Sequence, residues 1–266
     1  MVRAVPLGWR IAGGALVLLA GLVLLGPLAV VAGASVSESQ FIAFPPQGFS
    51  LQWYEAVLTS GTYTAAALTS LQIALGVMVL ATVVGGAAAI ALNRRALPGS
   101  GVLATAFLSP LVLPTIIYAI GMLMFWSRTF GPVSTATLLV GHTVVAIPYV
   151  VRTTLAVLAD ADPFLEEAAR TMGAGRLQRL LLVVVPQALP GLAAGAFFAF
   201  NISFDEAVLS LFLRTPTLTT LPVQIYGQLE FSPDPSVAAV STIMIGVTVL
   251  LMVLIDRILG LGKVAA

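Results

Sequence analysis

Six stretches of the chain are apolar for about twenty residues or more, and shorter polar segments separate them. They cover residues 11–33, 63–92, 102–126, 133–158, 189–213 and 236–259. A run of that length crosses a hydrocarbon core of roughly 30 Å as a helix, so each is expected to be a membrane span. The pattern predicts an all-α polytopic membrane protein with a single transmembrane domain over residues 1–266. The first run, preceded by Arg3 and Arg10, also has the outline of a secretory signal, with Ala32, Gly33 and Ala34 resembling a cleavage site. Its apolar part exceeds a signal core and is long enough to span, which favours a retained helix. Pro110 and Pro114 interrupt the third run, as a bundle tolerates where neighbouring helices re-satisfy the backbone. Leu97–Gly101 predicts a compact turn between the second and third runs.

Composition narrows the function classes. Hydrophobic residues make up 59% of the chain and the mean hydropathy is +1.06, so no soluble enzyme core is left once the spans are assigned. A formal net charge of +1 gives no bulk electrostatic case for nucleic acid. The absence of cysteine excludes a disulfide framework and a thiolate site, and one histidine argues against a protein-built zinc centre. Gly260, Gly262 and Lys263 lack the spacing and hydroxyl residue of a phosphate-binding loop, so the chain is not expected to bind ATP. The basic residues divide unequally between the two sides of a six-span topology. Arg3, Arg10, Arg94, Arg95, Arg152, Arg170, Arg176, Arg179, Arg257 and Lys263 fall on one side, and only Arg128 and Arg214 on the other. The positive-inside rule then predicts both termini in the cytoplasm and, with them, the long polar segment 159–188.

That segment is the main polar interruption. Only 9% of residues are charged, yet Glu166, Glu167, Arg170, Arg176 and Arg179 all lie within it. Asp162 is placed to cap a short helix with Pro163 at its first position. Glu166 sits one residue beyond a capping-box glutamate, and Gly173 and Gly175 supply a turn into a second helix. Glu167-Ala168-Ala169, three residues, Gly173, nine residues, then Val183, Val184, Val185 and Pro186 resembles the EAA loop of the permease subunits of ATP-binding-cassette importers. Valine stands at both aliphatic positions of the pattern. In that family the loop forms a coupling helix that docks on the ATPase subunit. The resemblance implies contact with the ATPase through Glu166, Glu167, Ala168, Ala169, Arg170, Gly173 and Ala174, with Ala168 and Ala169 as a small-residue packing face.

The fifth run carries the residues most costly to bury: Asn201, Ser203, Asp205 and Glu206, with Ser210 beyond. Carboxylates within a span usually face a cavity, a pathway or a partner. On a continuous helix Asn201 and Asp205 share one face, and Ser203, Glu206 and Ser210 another. Phe197, Phe200 and Phe204 form a stripe alongside. An aromatic face beside carboxylates suits a passing organic cation; packing against a neighbouring helix accounts for the same residues. The candidate pathway residues are therefore Asn201, Ser203, Asp205 and Glu206 with Phe200 and Phe204. His142 is expected to bond a neighbouring carbonyl, with a proton relay as the alternative. Gly191 and Gly195 match a small-xxx-small packing motif. Phe41, Phe44, Phe49, Trp53 and Tyr54, in the loop after the first run, suit a membrane interface. Leu221, Ile225 and Leu229 predict a short external helix, an interfacial anchor or a docking element.

FPPQGFSLQWY in the first external loop, SFDE at Ser203–Glu206 and the segment from Thr220 onward are similar to the spermidine/putrescine type of importer permease. The resemblance implies the type I importer fold and a bacterial inner-membrane complex. A second permease subunit, two ATPase subunits carrying ATP and magnesium, and a periplasmic or lipid-anchored substrate-binding protein would complete it. Alternating access would move the solute, with no covalent chemistry in this chain. Polyamines are the expected solutes; aminophosphonates and opine-like compounds are alternatives within the family. Outside it, an ion-driven secondary transporter would use Asp205, Glu206 and His142 as titrating groups, and an assembly subunit would need none of them.

Overall fold

The computed structural model describes residues 7–94 and 99–259. Arg3, Arg95 and Lys263 of the charge pattern, the Leu97–Pro98 part of the expected turn, and Gly260–Lys263 lie outside the described residues. In chain order, α1 is Leu7–Ala34, α2 Gln52–Thr59, α3 Gly61–Asn93, α4 Ser100–Leu108 and α5 Thr115–Thr129. There follow α6 (Thr135–Ala159), α7 (Pro163–Thr171), the single turn α8 (Arg176–Arg179) and α9 (Val185–Asp205). The last are α10 (Val208–Phe212), α11 (Leu221–Phe231) and α12 (Ser236–Leu259). Among the described residues the departures from helix and loop are confined to one β-bridge, between Thr215 and Leu218.

Five helices are long and apolar enough to cross a membrane alone: α1, α3, α6, the continuous stretch Arg176–Asp205, and α12. A sixth span exists if α4 and α5 count as one, and these two are bent by 101°. The expected run 102–126 is thus not one straight helix. A 3₁₀ turn, Ser109–Leu111, ends the first half, and Pro114 enters the second with ψ 126°. Pro110 and Pro114 supply no N–H to the helical ladder, and Pro114 disfavours the helical region for Leu113. The fifth run also differs at both ends. Helix begins at Arg176, continues through a π turn at Leu180–Val184, and stops at Asp205 instead of running to 213.

The chain forms two compact units. One holds the residues up to Thr64 with Gly227–Val247, the other Ala65–Tyr226 with the residues from Thr248 on. In the first, the connector after α1 is ordered. Ser37 is buried and its hydroxyl meets the backbone of Gln47, while the Trp53 indole N–H donates to the Ser37 carbonyl at 3.0 Å. Tyr63 and Ser236 join through their hydroxyls at 3.1 Å. Phe41, Phe44 and Phe49 stay exposed.

In the second unit α6 is the central element. It packs on α9 along most of its length, and Ala146, Val150, Val151 and Thr154 are fully buried. Without a hydrophobic driving force between helices in lipid, close van der Waals approach must hold them together. Glycines permit it on two sides. A Cβ at Gly195 would lie 2.8 Å from Val150 Cα, and one at Gly191 would lie 2.8 Å from Thr154 Cα. From α3, a Cβ at Gly85 would lie 2.9 Å from Val150 Cβ. The small-residue motif of α9 is thus a real helix contact, whereas Gly13 of α1 has open space around it.

Gly195→Ala places a methyl against helix backbone, where overpacking costs about 1–3 kcal/mol. It should lower the thermal unfolding midpoint of the detergent-solubilised protein, while Gly13→Ala leaves it unchanged. Equal midpoints for both variants would contradict the α6–α9 approach.

Candidate functional site

The polar segment folds as a capped helix and a closed turn. Asp162 Oδ1 accepts from the Phe164 N–H at 2.9 Å, and Pro163 occupies the first helical position, where its missing N–H leaves nothing unpaired. At the other end the Gly173 N–H donates to the Arg170 carbonyl, and the Ala174 N–H to the Ala169 carbonyl, each at 3.0 Å. These two bonds, with Gly173 at φ 88°, form a Schellman turn. Gln178 Oε1 then accepts from the Gly175 N–H at 2.8 Å and starts α8.

Glu166 does not complete a capping box. Its Oε1 meets the Arg94 guanidinium at 2.8 Å and lies 3.6 Å from Arg179 Nε. One carboxylate therefore ties α7 to the end of α3 and to the start of the α8–α9 helix. The pattern of residues did not reveal this pairing, although Arg94 follows the second apolar run, Glu166 the fourth, and they carry opposite charge. Each is about one-third exposed, so the pair orients the loop more than it stabilises it. Beside it a hollow of about 320 Å³ is lined by Pro163, Phe164, Glu166, Glu167, Arg170 and Arg179.

Ala168 and Ala169 do not form one face, since neighbours on a helix diverge by about 100°. Ala169 is buried against its own chain; Ala168 is exposed, as are Glu167 and Arg170. The outward surface is apolar as well as charged, because Phe164, Leu165, Met172 and Leu177 are all exposed. Gly173 is exposed, and Ala174 is half-buried.

The six expected pathway residues divide. Phe200 and Phe204 stack at 5.4 Å between ring centroids and are buried, so neither offers a face to a passing cation. Phe197, the third member of the stripe, lies against Phe198. Asn201 Oδ1 accepts from the Thr248 hydroxyl at 3.2 Å, which ties α9 to α12. Ser203 is buried and bonds His142 Nδ1 at 3.0 Å. The shared face of Ser203, Glu206 and Ser210 is interrupted, because α9 ends at Asp205 and Glu206 is extended with ψ 102°. Glu206 is half-buried, and its Oε1 accepts from the Leu209 N–H at 3.0 Å, satisfying an orphan amide of α10. Asp205 is exposed at the break and has no side-chain hydrogen bond among the described residues. His142 reaches Ser203 through the backbone of α9 as well as through its hydroxyl. Its Nε2 meets the Ser210 hydroxyl at 3.0 Å, so both ring nitrogens are engaged within the core.

A bent-span helical bundle with an ordered EAA-type loop defines a transport subunit. Residues 81–261 match the family model described as binding-protein-dependent transport system inner membrane component. The chain is 33% identical over 208 residues to the spermidine/putrescine transport system permease protein PotC of Haemophilus influenzae, covering 78% of this chain and 81% of that one. It is 29% identical over 237 residues to PotC of Escherichia coli strain K12, covering 89% of each. Its fold superposes with a TM-score of 0.70 on a chain of a bacterial ABC transporter that imports alginate, at 18% identity, covering 96% of this chain and 99% of that one. The chain belongs to the family of binding-protein-dependent transport system inner membrane components.

Gly173→Val forces a β-branched residue into the left-handed region, at a local cost of roughly 1–2 kcal/mol. Trypsin should then cut after Arg170 or Arg176 about fivefold to thirtyfold faster than in the unaltered chain. Equal cleavage rates would show that the turn does not order the loop.

Proposed function

We propose that the chain is the membrane-spanning permease of an ATP-driven importer whose solute is a polyamine such as spermidine or putrescine. The observation that carries this reading is the α7–α8 segment. It has the EAA spacing, an ordered Schellman turn, an exposed face that mixes apolar and charged groups, and Glu166 bridging it to α3 and α9. Membership in a binding-protein-dependent transport family supports the same reading.

The face formed by Phe164, Glu167, Ala168, Arg170 and Met172 docks on a separate ATPase subunit, which carries ATP and magnesium. Both termini and α7 lie in the cytoplasm. Among the described residues this puts Arg10, Arg94, Arg152, Arg170, Arg176, Arg179 and Arg257 inside and leaves Arg128 and Arg214 outside. A second permease subunit completes the passage, two ATPase subunits drive it, and a periplasmic or lipid-anchored binding protein delivers the solute. Closure of the ATPase dimer moves α7. Because Glu166 and the α8–α9 helix join α7 to the bundle, the movement reaches the break after Asp205. The subunit thereby alternates between inward-open and outward-open states.

The polyamine assignment rests on the relatives named for spermidine and putrescine and on Asp205. A carboxylate exposed at a helix break, with no side-chain partner among the described residues, suits an ammonium group, and it carries the substrate contact that the buried phenylalanines do not. Selectivity also depends on the binding protein, so the solute is tested on the whole complex.

With this chain reconstituted in nanodiscs with its sister permease, ATPase and binding protein, spermidine or putrescine should stimulate ATP hydrolysis and an aminophosphonate should not. Glu167→Lys should abolish the stimulation while the protein remains membrane-inserted. Stimulation by the aminophosphonate alone would remove the polyamine assignment and keep the importer. Normal stimulation in Glu167→Lys would contradict docking through α7.

A further inference from the structure

His142 lies on α6 with nearly all of its surface buried, and it is bonded on both sides. Nδ1 meets Ser203 two residues from the end of α9, and Nε2 meets Ser210 in the middle of α10, each at 3.0 Å. All three side chains are buried. A hydroxyl can donate or accept, so either tautomer of the imidazole is satisfied by the two serines. Ala146 of α6, Ala199 of α9, Leu209 of α10 and Leu213 just beyond it are buried in one apolar core. Breaking either bond would leave a polar group there without water.

The two serines flank the break. Residues 206 and 207 leave the helix between them, with Glu206 in extended conformation. Two covalently continuous helices can rotate about such a linker unless something outside it holds both. Glu206 Oε1 fixes only the start of α10, through the Leu209 N–H. The imidazole holds α9 and α10 to a third helix at once. The same α6 is locked against α9 by Gly191 and Gly195, so the ring is anchored on a rigid support.

We propose that His142 is a positioning residue for transport: by bridging Ser203 and Ser210 across the break, it sets the direction in which the exposed Asp205 carboxylate faces the passage. This rests on the importer reading above, and it adds a residue that does not itself touch solute. Loss of the bridge removes the polar tie of α10 to α6 and leaves its position to the packing of Leu209 and Leu213 in the core. The Asp205 carboxylate is then less firmly aimed, and a solute passes less efficiently per cycle although α7 still couples to ATP. A role limited to fold stability would lower uptake and hydrolysis together.

The test compares unaltered, His142→Ala and Ser210→Ala chains in the assembled complex. Proteoliposomes with saturating binding protein report spermidine uptake per ATP hydrolysed. Both variants should lower that ratio by about threefold to tenfold, the weight of one buried hydrogen bond. Adding Ser210→Ala to His142→Ala should lower it no further, because the bridge is already broken. An unchanged ratio, or uptake and hydrolysis falling in parallel, would overturn the assignment.

A second measurement does not depend on the solute. The natural chain has no cysteine, so a single Asp205→Cys substitution can be labelled with a membrane-impermeant maleimide. Ser210→Ala in that background should change the labelling rate at least about threefold. Ser210→Ala removes a single oxygen, so it decides the matter even where His142→Ala does not fold. If no solute stimulates the complex, the importer reading fails while the labelling result still judges the bridge. Equal labelling rates would overturn it.

Discussion

The rest of the structure depends on how closely helices can approach α6. In lipid, apolar side chains gain little by leaving one hydrocarbon for another, so backbone proximity and interlocked side chains must hold the bundle. At Val150 that proximity occurs from two directions, with Gly85 of α3 on one side and Gly195 of α9 on the other. Any side chain at either glycine would meet α6 itself, not the flexible end of a neighbour. This contact turns three apolar helices into one support, and both candidate functional regions are mounted on it.

At one end, the helix that begins at Arg176 carries the packed face of α9 directly into the polar loop. Glu166 adds lateral ties to Arg94 and Arg179, so α7 is joined to the support at two points instead of hanging from its own chain ends. At the other end, α9 stops at Asp205, and His142 of α6 holds the pieces on both sides of the stop. Loop and break are therefore connected through one continuous element. This is the arrangement a transport subunit needs to convert a push at its surface into a change at its passage. A deformable bundle would absorb the push.

Much of this was legible in the order of residues. Apolar runs of membrane length, the capped start at Asp162 and Pro163, and the Gly173 turn all follow from local rules, because each depends on neighbours in the chain. Gly191 and Gly195 were visible as a motif, but in a chain with 24 glycines the motif could not show which of them another helix meets. The bend between α4 and α5 was half legible: Pro110 and Pro114 mark where it occurs, but its size depends on packing. The tertiary pairings were not legible. Arg94 and Glu166 are 72 positions apart, and Ser203 and His142 are 61. The assumption of an unbroken fifth helix placed Ser203, Glu206 and Ser210 on one face. Ser203 and Ser210 do meet a common partner, but the helix is broken between them and Glu206 turns to cap α10. Phe200 and Phe204 illustrate the opposite limit, since an aromatic stripe reads alike whether it lines a passage or packs a core.

The central claim is that the α8 end of the polar loop and the break after Asp205 move as parts of one body. The most direct measurement is the distance between spin labels at Leu177 and Val208, both exposed, by pulsed electron resonance in the assembled complex with and without ATP. The account predicts one narrow distance distribution that does not shift on nucleotide binding, while a label pair from Val208 to the sister permease does shift. A Leu177–Val208 distance that changes with ATP would mean that the bundle bends, and the proposed transmission from loop to passage would be wrong.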